Sequence, residues 1–311
     1  MEGILARTTL KRLSRSIRAA AAALLALFLF TTAPTTPASA AAGDLDSSFG
    51  RGGRVTTDFG GAEGATAVAV QPDGKLVVAG SSSQPGGTQL QADFCVVRYK
   101  TDGSIDTSFG TDGRVLTDFG DTYDQALAVL VQPDGKIVVV GAAFSTGPMA
   151  GADFALARYN ADGTPDKTFG TDGEVTTSFP SEFYSGATSA ALQSDGRLVV
   201  AGIVYYSPTL EIYSSDFAVA RYNADGTPDK TFGTDGLTTV DFSESDGAAG
   251  VVVQPDGRVV MAGSAWSITG NTGQPFGCAV ARLNANGSPD SGFDGDGKTL
   301  INFLGQDWCS A

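Results

Sequence analysis

The chain of 311 residues contains no histidine. That one absence removes the Ser-His-Asp triad, imidazole acid–base chemistry and His-ligated zinc together. Cysteine is nearly as scarce, three in all, with no C-x-x-C pair to hold a metal or run thiol redox chemistry. Basic residues are in the minority, 20 against 34 acids, for a net charge of −14. So acidic a chain is repelled by nucleic acid and by anionic lipid surfaces, and neither is expected as a partner. Long apolar runs are missing too. The run AAAAALLALFLF at 19–30 is short of the roughly 20 residues a membrane span needs, so membrane insertion is not expected. Beyond it no segment sustains a 3.6-residue apolar period, which leaves little room for helix.

That apolar run sits inside a three-part leader. Arg7, Lys11, Arg12, Arg15 and Arg18 precede it, and TTAPTTPASA follows, ending in Ala38-Ser39-Ala40. A basic start, an apolar middle and an A-x-A end predict a secretory signal peptide over residues 1–40, cleaved after Ala40. Residues 41–311 are then a single secreted domain. The leader carries five basic residues and one acid, Glu2, so the chain left after cleavage has a net charge of −18 against −14 for the whole.

What the sequence has in quantity is glycine, 41 residues, and repetition. The seventeen residues ARYNADGTPDKTFGTDG at 157–173 return unchanged at 220–236. QPDGKLVVAG, QPDGKIVVVG, QSDGRLVVAG and QPDGRVVMAG begin at Gln71, Gln132, Gln193 and Gln254, a constant step of 61. The blocks DFCVVRYK, DFALARYN, DFAVARYN and GCAVARLN place an arginine at 98, 158, 221 and 282, and a third block places a phenylalanine at 49, 109, 169, 232 and 293. Each unit reads as four short strands, the first two joined by a Pro-Asp-Gly turn between apolar runs. The fold class expected is all-β: a β-propeller of four-stranded blades, about four repeats of some 60 residues. RVTTDF at 54–59 is a surplus outer strand, since the fourth unit already ends in its own KTLINF at 298–303. A compact four-bladed arrangement is expected; the alternative is an open one whose spare edge pairs with another chain.

The set QPDGK-[LIV]-V-V-x-G, DF-x-[LV]-A-R-Y-N and LDSSFG…GRV resembles the delta-60 repeat family of secreted bacterial proteins over about 45–303. The resemblance implies a propeller and brings no reaction, cofactor or catalytic residue. Departures are Ser194 for the turn proline, Cys278 for the phenylalanine of the third strand, and Glu174 and Leu237 for the arginine of GRV.

Arg98, Arg158, Arg221 and Arg282 interrupt apolar strands and need partners, because a buried guanidinium is tolerated only when paired. Asp106, Asp166, Asp229 and Asp290 recur a few residues on and are the expected partners in blade-stabilising ion pairs. A ring of arginines around an anion is the other reading. In the loop NADGTPDKTFGTDG, Asn160, Asp162 and Asp166 resemble part of a calcium loop, but Asx turns explain the same letters. No metal and no cofactor are expected, with a calcium-binding repeat protein as an alternative. A catalytic residue is not expected either. A carboxylate pair drawn from Glu63, Asp121, Asp124, Glu182, Glu211, Glu244 and Asp246 would be the apparatus of a carbohydrate-active enzyme.

Strand order puts the monotonous loops at one end of each unit and the varied ones, SSSQPGGTQLQA, AAFSTGPMAGA, IVYYSPTLEIYSS and SAWSITGNTGQPFG, at the other. Tyr123, Phe183, Tyr184, Tyr205, Tyr206, Tyr213 and Trp266 gather at the varied end and suit a surface for a protein or glycan outside the cell. Cys278 and Cys309 fall at the same edge of the last unit and are expected to form a disulfide, leaving Cys95 as a free buried thiol.

Overall fold

The computed structural model describes residues 43–83, 91–120, 123–145, 151–180, 184–209, 212–242, 245–266 and 275–301. The leader lies outside them. Contacts divide the chain at Ser47/Ser48, and everything below concerns the second unit, from Ser48 onward. Among the described residues there is no helix, and no helix long and apolar enough to cross a membrane.

Sixteen strands form four antiparallel units. The first is β1 (Glu63–Val70), β2 (Leu76–Ser83), β3 (Ala92–Tyr99) and β4 (Arg114–Thr117). The second is β5 (Tyr123–Val131), β6 (Ile137–Phe144), β7 (Ala152–Tyr159) and β8 (Glu174–Thr177). The third is β9 (Tyr184–Leu192), β10 (Leu198–Thr209), β11 (Ile212–Tyr222) and β12 (Leu237–Val240). The fourth is β13 (Ser245–Val253), β14 (Val259–Trp266), β15 (Pro275–Leu283) and β16 (Lys298–Ile301). Each unit pairs its strands in chain order, and one parallel bridge, Ser215 to Ser245, joins the third and fourth into a continuous sheet.

The local devices repeat with the sequence. In the Pro-Asp-Gly turns the aspartate side chain accepts the amide N–H two residues on, Asp73 from Lys75 and Asp134 from Lys136, which is the Asx turn expected of that residue. The glycine closing QPDGK-I-V-V-V-G is required by packing. A Cβ on Gly141 would stand 1.8 Å from the carbonyl oxygen of Gln125, because β5 bulges there, between Ala126 and Ala128, against β6.

Three apolar cores lie in the joints between successive units. Val77, Phe94, Val96 and Phe109 of the first meet Ile137, Val139 and Tyr159 of the second. Val138, Phe154, Leu156 and Phe169 meet Leu198, Val200 and Tyr222, and Val199, Phe217, Val219 and Phe232 meet Val259, Met261 and Leu283. Thus the inner three strands are apolar on both faces, one face for each neighbour, which is why they read as continuous apolar runs rather than an alternation.

The structure departs from the sequence expectations in four respects. The outer strands are only four residues long, ending where the Asp118–Gly120 turn begins after β4. IVYYSPTLEIYSS, expected as a loop, largely extends the β10–β11 hairpin, so Tyr205, Tyr206 and Tyr213 belong to strands. Among the described residues, 54–59 pair with no strand, and a lone bridge from Gly50 to Arg54 is their ladder contact there. The four units do not close on themselves, because no core joins the fourth to the first among the described residues.

Each unit also carries an Arg–Asp ion pair, buried in the first three units. Arg98 Nε lies 2.9 Å from Asp106, Arg158 2.7 Å from Asp166, Arg221 2.8 Å from Asp229 and Arg282 2.7 Å from Asp290. The same aspartates take a second cation from the Pro-Asp-Gly turn, Lys75, Lys136, Arg197 or Arg258. The guanidiniums stack on Phe109, Phe169, Phe232 and Phe293. Three of them then reach across the joint. Arg98 donates to the carbonyl of Ala161, Arg158 to that of Ala224 and Arg221 to that of Ala285. Arg282 faces no such carbonyl among the described residues, and its side chain is 24% exposed against 5% for Arg158. Breaking a buried pair by removing one partner costs about 3–5 kcal/mol. Arg158→Ala is therefore expected to destabilise by that amount in chemical denaturation, and Arg282→Ala by clearly less. Equal losses would contradict the joint-spanning role.

Candidate functional site

The antiparallel order places the β1–β2 turn and the β3–β4 loop of each unit at one end and the other two connections at the opposite end. At that varied end the first residue of β5 lies opposite the last of β6, Tyr123 to Phe144, and the first residue of β9 lies opposite a residue inside β10, Tyr184 to Tyr205. Their rings form a continuous row across two units. Tyr123 meets Phe144 edge-on at 5.0 Å, Phe144 meets Tyr184 at 5.4 Å, and Tyr184 meets Tyr205 edge-on at 5.3 Å. Edge-to-face contact at these distances is the favourable arrangement of aromatic rings. All four are half-buried. Burial pushes the Tyr184 hydroxyl above its ordinary pKa, with help from Tyr205 and Tyr123, and burial does the same to Tyr205, so both stay neutral hydrogen-bonding phenols. Beside Tyr123 a cavity of about 260 Å³ is lined also by Glu63, Ser81 and Gln125.

Phe144 was not among the aromatic residues singled out from the sequence. A signal for it existed: Ser83, Phe144, Tyr205 and Trp266 follow the same step of 61 as the glutamines. The register brings Trp266 opposite Ser245, the position corresponding to Tyr123 and Tyr184. Tyr206 packs against the second core rather than joining the row. Phe183 lies outside the described residues.

The acids sort by the same step. Glu63, Asp124, Ser185 and Asp246 are 61 residues apart, and three of the acids put forward as catalytic candidates thus occupy one repeat position. Each caps the strand end before it. Glu63 accepts the N–H of Phe59, Asp124 that of Phe119, and Asp246 those of Phe242 and Phe217. Asp121, Glu182, Glu211 and Glu244 lie outside the described residues.

Two of these acids stand in groups of three, Asp93, Asp118 and Asp124 in the first joint and Asp216, Asp241 and Asp246 in the third, with one oxygen of each residue within 4.8 Å of the others. Three convergent carboxylates offer the hard oxygen donors that a divalent cation takes. Burial, and then the charges of Asp216 and Asp241, push the carboxyl of Asp246 up to about 7 against the pull of its two N–H donors. Burial and Asp241 raise Asp216 to about 6, with Lys298 opposing.

The loop acids behave differently. Asp162 accepts both the N–H and the hydroxyl of Thr164, Asn160 donates to Thr164 and Pro165, and Asp166 is held by Arg158 and Lys136. Turn formation and the ion pair therefore occupy the three groups that had suggested a calcium loop. Burial opposes ionisation of Asp166, but Thr168, Lys136 and Arg158 together hold its carboxyl well below the ordinary range. Cys278 is disulfide-bonded and Cys95 is a free buried thiol, pushed up to about 12 by burial; Cys309 lies outside the described residues.

Comparison with known proteins bears on the fold. The sequence matches the family described as a domain of unknown function (DUF5122) beta-propeller over residues 71–109, 132–169, 193–232 and 254–293, about half of the chain. No curated protein matches it. Among solved structures, a protein of unknown function from Dyadobacter fermentans is similar at 13% identity and a TM-score of 0.43, covering 76% of this chain and 64% of its own. The arabinanase Arb43A of Bacillus subtilis is similar at 14% identity and 0.41, covering 79% of this chain and 82% of its own. A gluconolactonase of Xanthomonas campestris is similar at 14% and 0.36, covering 78% and 63%.

The raised carboxyls set a pH dependence. An acid whose pKa is higher in the folded than in the unfolded chain contributes stability in full below its unfolded value, about 4, and loses it as pH rises through its folded value. For Asp216 and Asp246 that window runs from about pH 4 to about 7. In metal-free buffer the melting temperature is expected to fall between pH 5 and pH 8. Asp246→Ser, which installs the residue found at Ser185, should flatten the fall. An unchanged slope would show that the third joint is not its source.

Proposed function

Because the chain belongs to the DUF5122 β-propeller family, we propose that it is a secreted propeller scaffold, of the delta-60 type in its repeat. Its varied-loop face meets a protein or glycan outside the cell, and it carries out no reaction of its own. Residues 1–40 are its signal peptide, and Cys309 is the partner of Cys278. The observation that carries this reading is the aromatic row Tyr123–Phe144–Tyr184–Tyr205. Half-exposed rings carried on strands bury large area on binding at little cost in side-chain entropy. Neighbouring Gln125 and Glu63 supply the polar groups that would orient a sugar or a peptide backbone. A half-exposed aromatic row beside an amide and an acid suits a glycan or a peptide.

The rival reading, a carbohydrate-active enzyme, draws on the carboxylate groups at Asp124 and Asp246. Their commitment to backbone N–H groups at strand ends supports a structural role instead. A hydrolase also needs its carboxyls about 5–10 Å apart on either side of a bond, with room between them for the sugar.

Screening the purified protein on a glycan array and in pull-downs on isolated cell walls tests the proposal. Binding is expected, and Tyr184→Ala with Tyr205→Ala should abolish it while the circular-dichroism spectrum stays that of the parent and the melting temperature falls only by the lost ring contacts. No binding in either format removes the glycan reading. Release of reducing sugar from a bound polysaccharide would replace it with the enzyme. Thiol titration of the exported protein in denaturant should find one free thiol, Cys95; three would remove the bridge.

A further inference from the structure

The ends of the series present the same two faces that meet in its three internal joints. Val138 and Val199 are fully buried by the unit that follows, as is Val77. Their counterpart Val260 is half-buried, and Ala262, corresponding to the buried Ala79 and Ala201, is exposed. Val252, on the same face of the last unit, is 60% exposed. At the other end Ile137, Leu198 and Val259 are fully buried by the unit before them, whereas the corresponding Leu76 is half-buried. Val68 and Val70 beside it are 63% and 67% exposed, and a cavity of about 510 Å³ opens along Leu76, Val78 and Val97. Arg282, as described above, has no carbonyl across from it among the described residues.

Residues 49–59 are a second sign that the head of the first unit is built to follow another unit. They repeat the contacts by which each outer segment grips the following unit. Gly50 donates to the carbonyl of Asp102 as Gly110 does to Asp162 and Gly170 to Asp225. Thr57 meets the Tyr99 hydroxyl as Thr117 meets Tyr159 and Thr177 meets Tyr222. Arg114 covers Phe59 as Lys298 covers Phe242. The chain's own last outer segment lacks this chemistry, having Asp294 where those glycines stand and Ile301 where the threonines stand. Hence residues 49–59 are an outer segment with no inner strands of its own among the described residues, and β16 is an outer strand with no following unit to grip among them.

We infer that the last unit of one copy docks on the first unit of a second copy, with residues 49–59 of the second taking the outer position beside β15 in place of β16. The exchange leaves the count of ladder hydrogen bonds unchanged and gains the apolar burial of a fourth kind of joint, with Arg282 reaching the Thr101 carbonyl, which corresponds to Ala161, Ala224 and Ala285. The contact is head-to-tail, so it must close into a ring or grow into a fibre. Two copies supply eight units, within the four to eight blades of propellers, and three would supply twelve, which lies outside that range.

Light scattering on the purified full chain tests this. The expected mass is twice that of the chain. Val68→Asp at the head and Val252→Asp at the tail, both exposed in the single copy, should each give folded monomers with the parent's circular-dichroism spectrum and a melting temperature lowered by the loss of the joint between copies. Mixing the two variants should restore a dimer, because one intact head and one intact tail remain. A monomeric parent overturns the inference. So does a dimer that survives both substitutions, or a mixture that stays monomeric.

Discussion

An arginine in the middle of an apolar strand governs this architecture. Its charge cannot be left unpaired inside a joint, and the chain meets that demand the same way at Arg98, Arg158 and Arg221. The aspartate eight residues on binds Nε, a phenylalanine ring covers the guanidinium, and a carbonyl of the next unit takes the remaining donor. Local turn, apolar core and inter-unit contact are thereby tied to one side chain. A sheet that carries this set requires a neighbour, so the repeat specifies stacking as well as strands.

The varied end is free to differ because the other end does the holding. The ion pairs, the Asx turns and the glycine contacts such as Gly110 to Asp162 all sit with the monotonous loops. At the far end the joints are closed by short capping groups, Glu63, Asp124, Ser185 and Asp246, and beyond those by aromatic side chains. Asp246 and Asp216 are the cost of that arrangement, carboxyls drawn into a joint, whereas Ser185 at the repeat position of Asp246 is uncharged and donates its hydroxyl to the carbonyl of Ala152. A rigid base with a changeable rim is the usual division of labour in proteins that bind through loops.

Much of this was legible in the sequence, and the reasons differ by element. The step of 61 revealed the units, and Pro-Asp-Gly between apolar runs revealed their first hairpins, because both are local signals. Arg158 and Asp166 could be matched because a charge inside an apolar run asks for a partner nearby. The acids were harder. Asp124 and Asp246 looked like loop residues outside the pattern until register aligned them with Glu63 and Ser185, two residues of other types at the same step. Phe144 was missed for the same reason, since Ser83 breaks the aromatic series at its start. Closure was the hardest to read. Whether the fourth unit meets the first depends on the angle between sheets, which no residue spacing records, and residues 54–59 carry a strand's letters while lacking the strand that would pair with them.

The claim that joints, and not separate sheets, are the unit of stability is tested most directly by native-state hydrogen exchange at Gly110, Gly170 and Gly233. Their amides donate across the three joints, to Asp162, Asp225 and Asn286. If the joints hold the structure together, these amides exchange only by global unfolding, with the same free energy as ladder amides such as those of Val139 and Val200. Exchange at the three glycines with markedly lower free energy than at the ladder amides would mean that the sheets stand alone and touch only loosely.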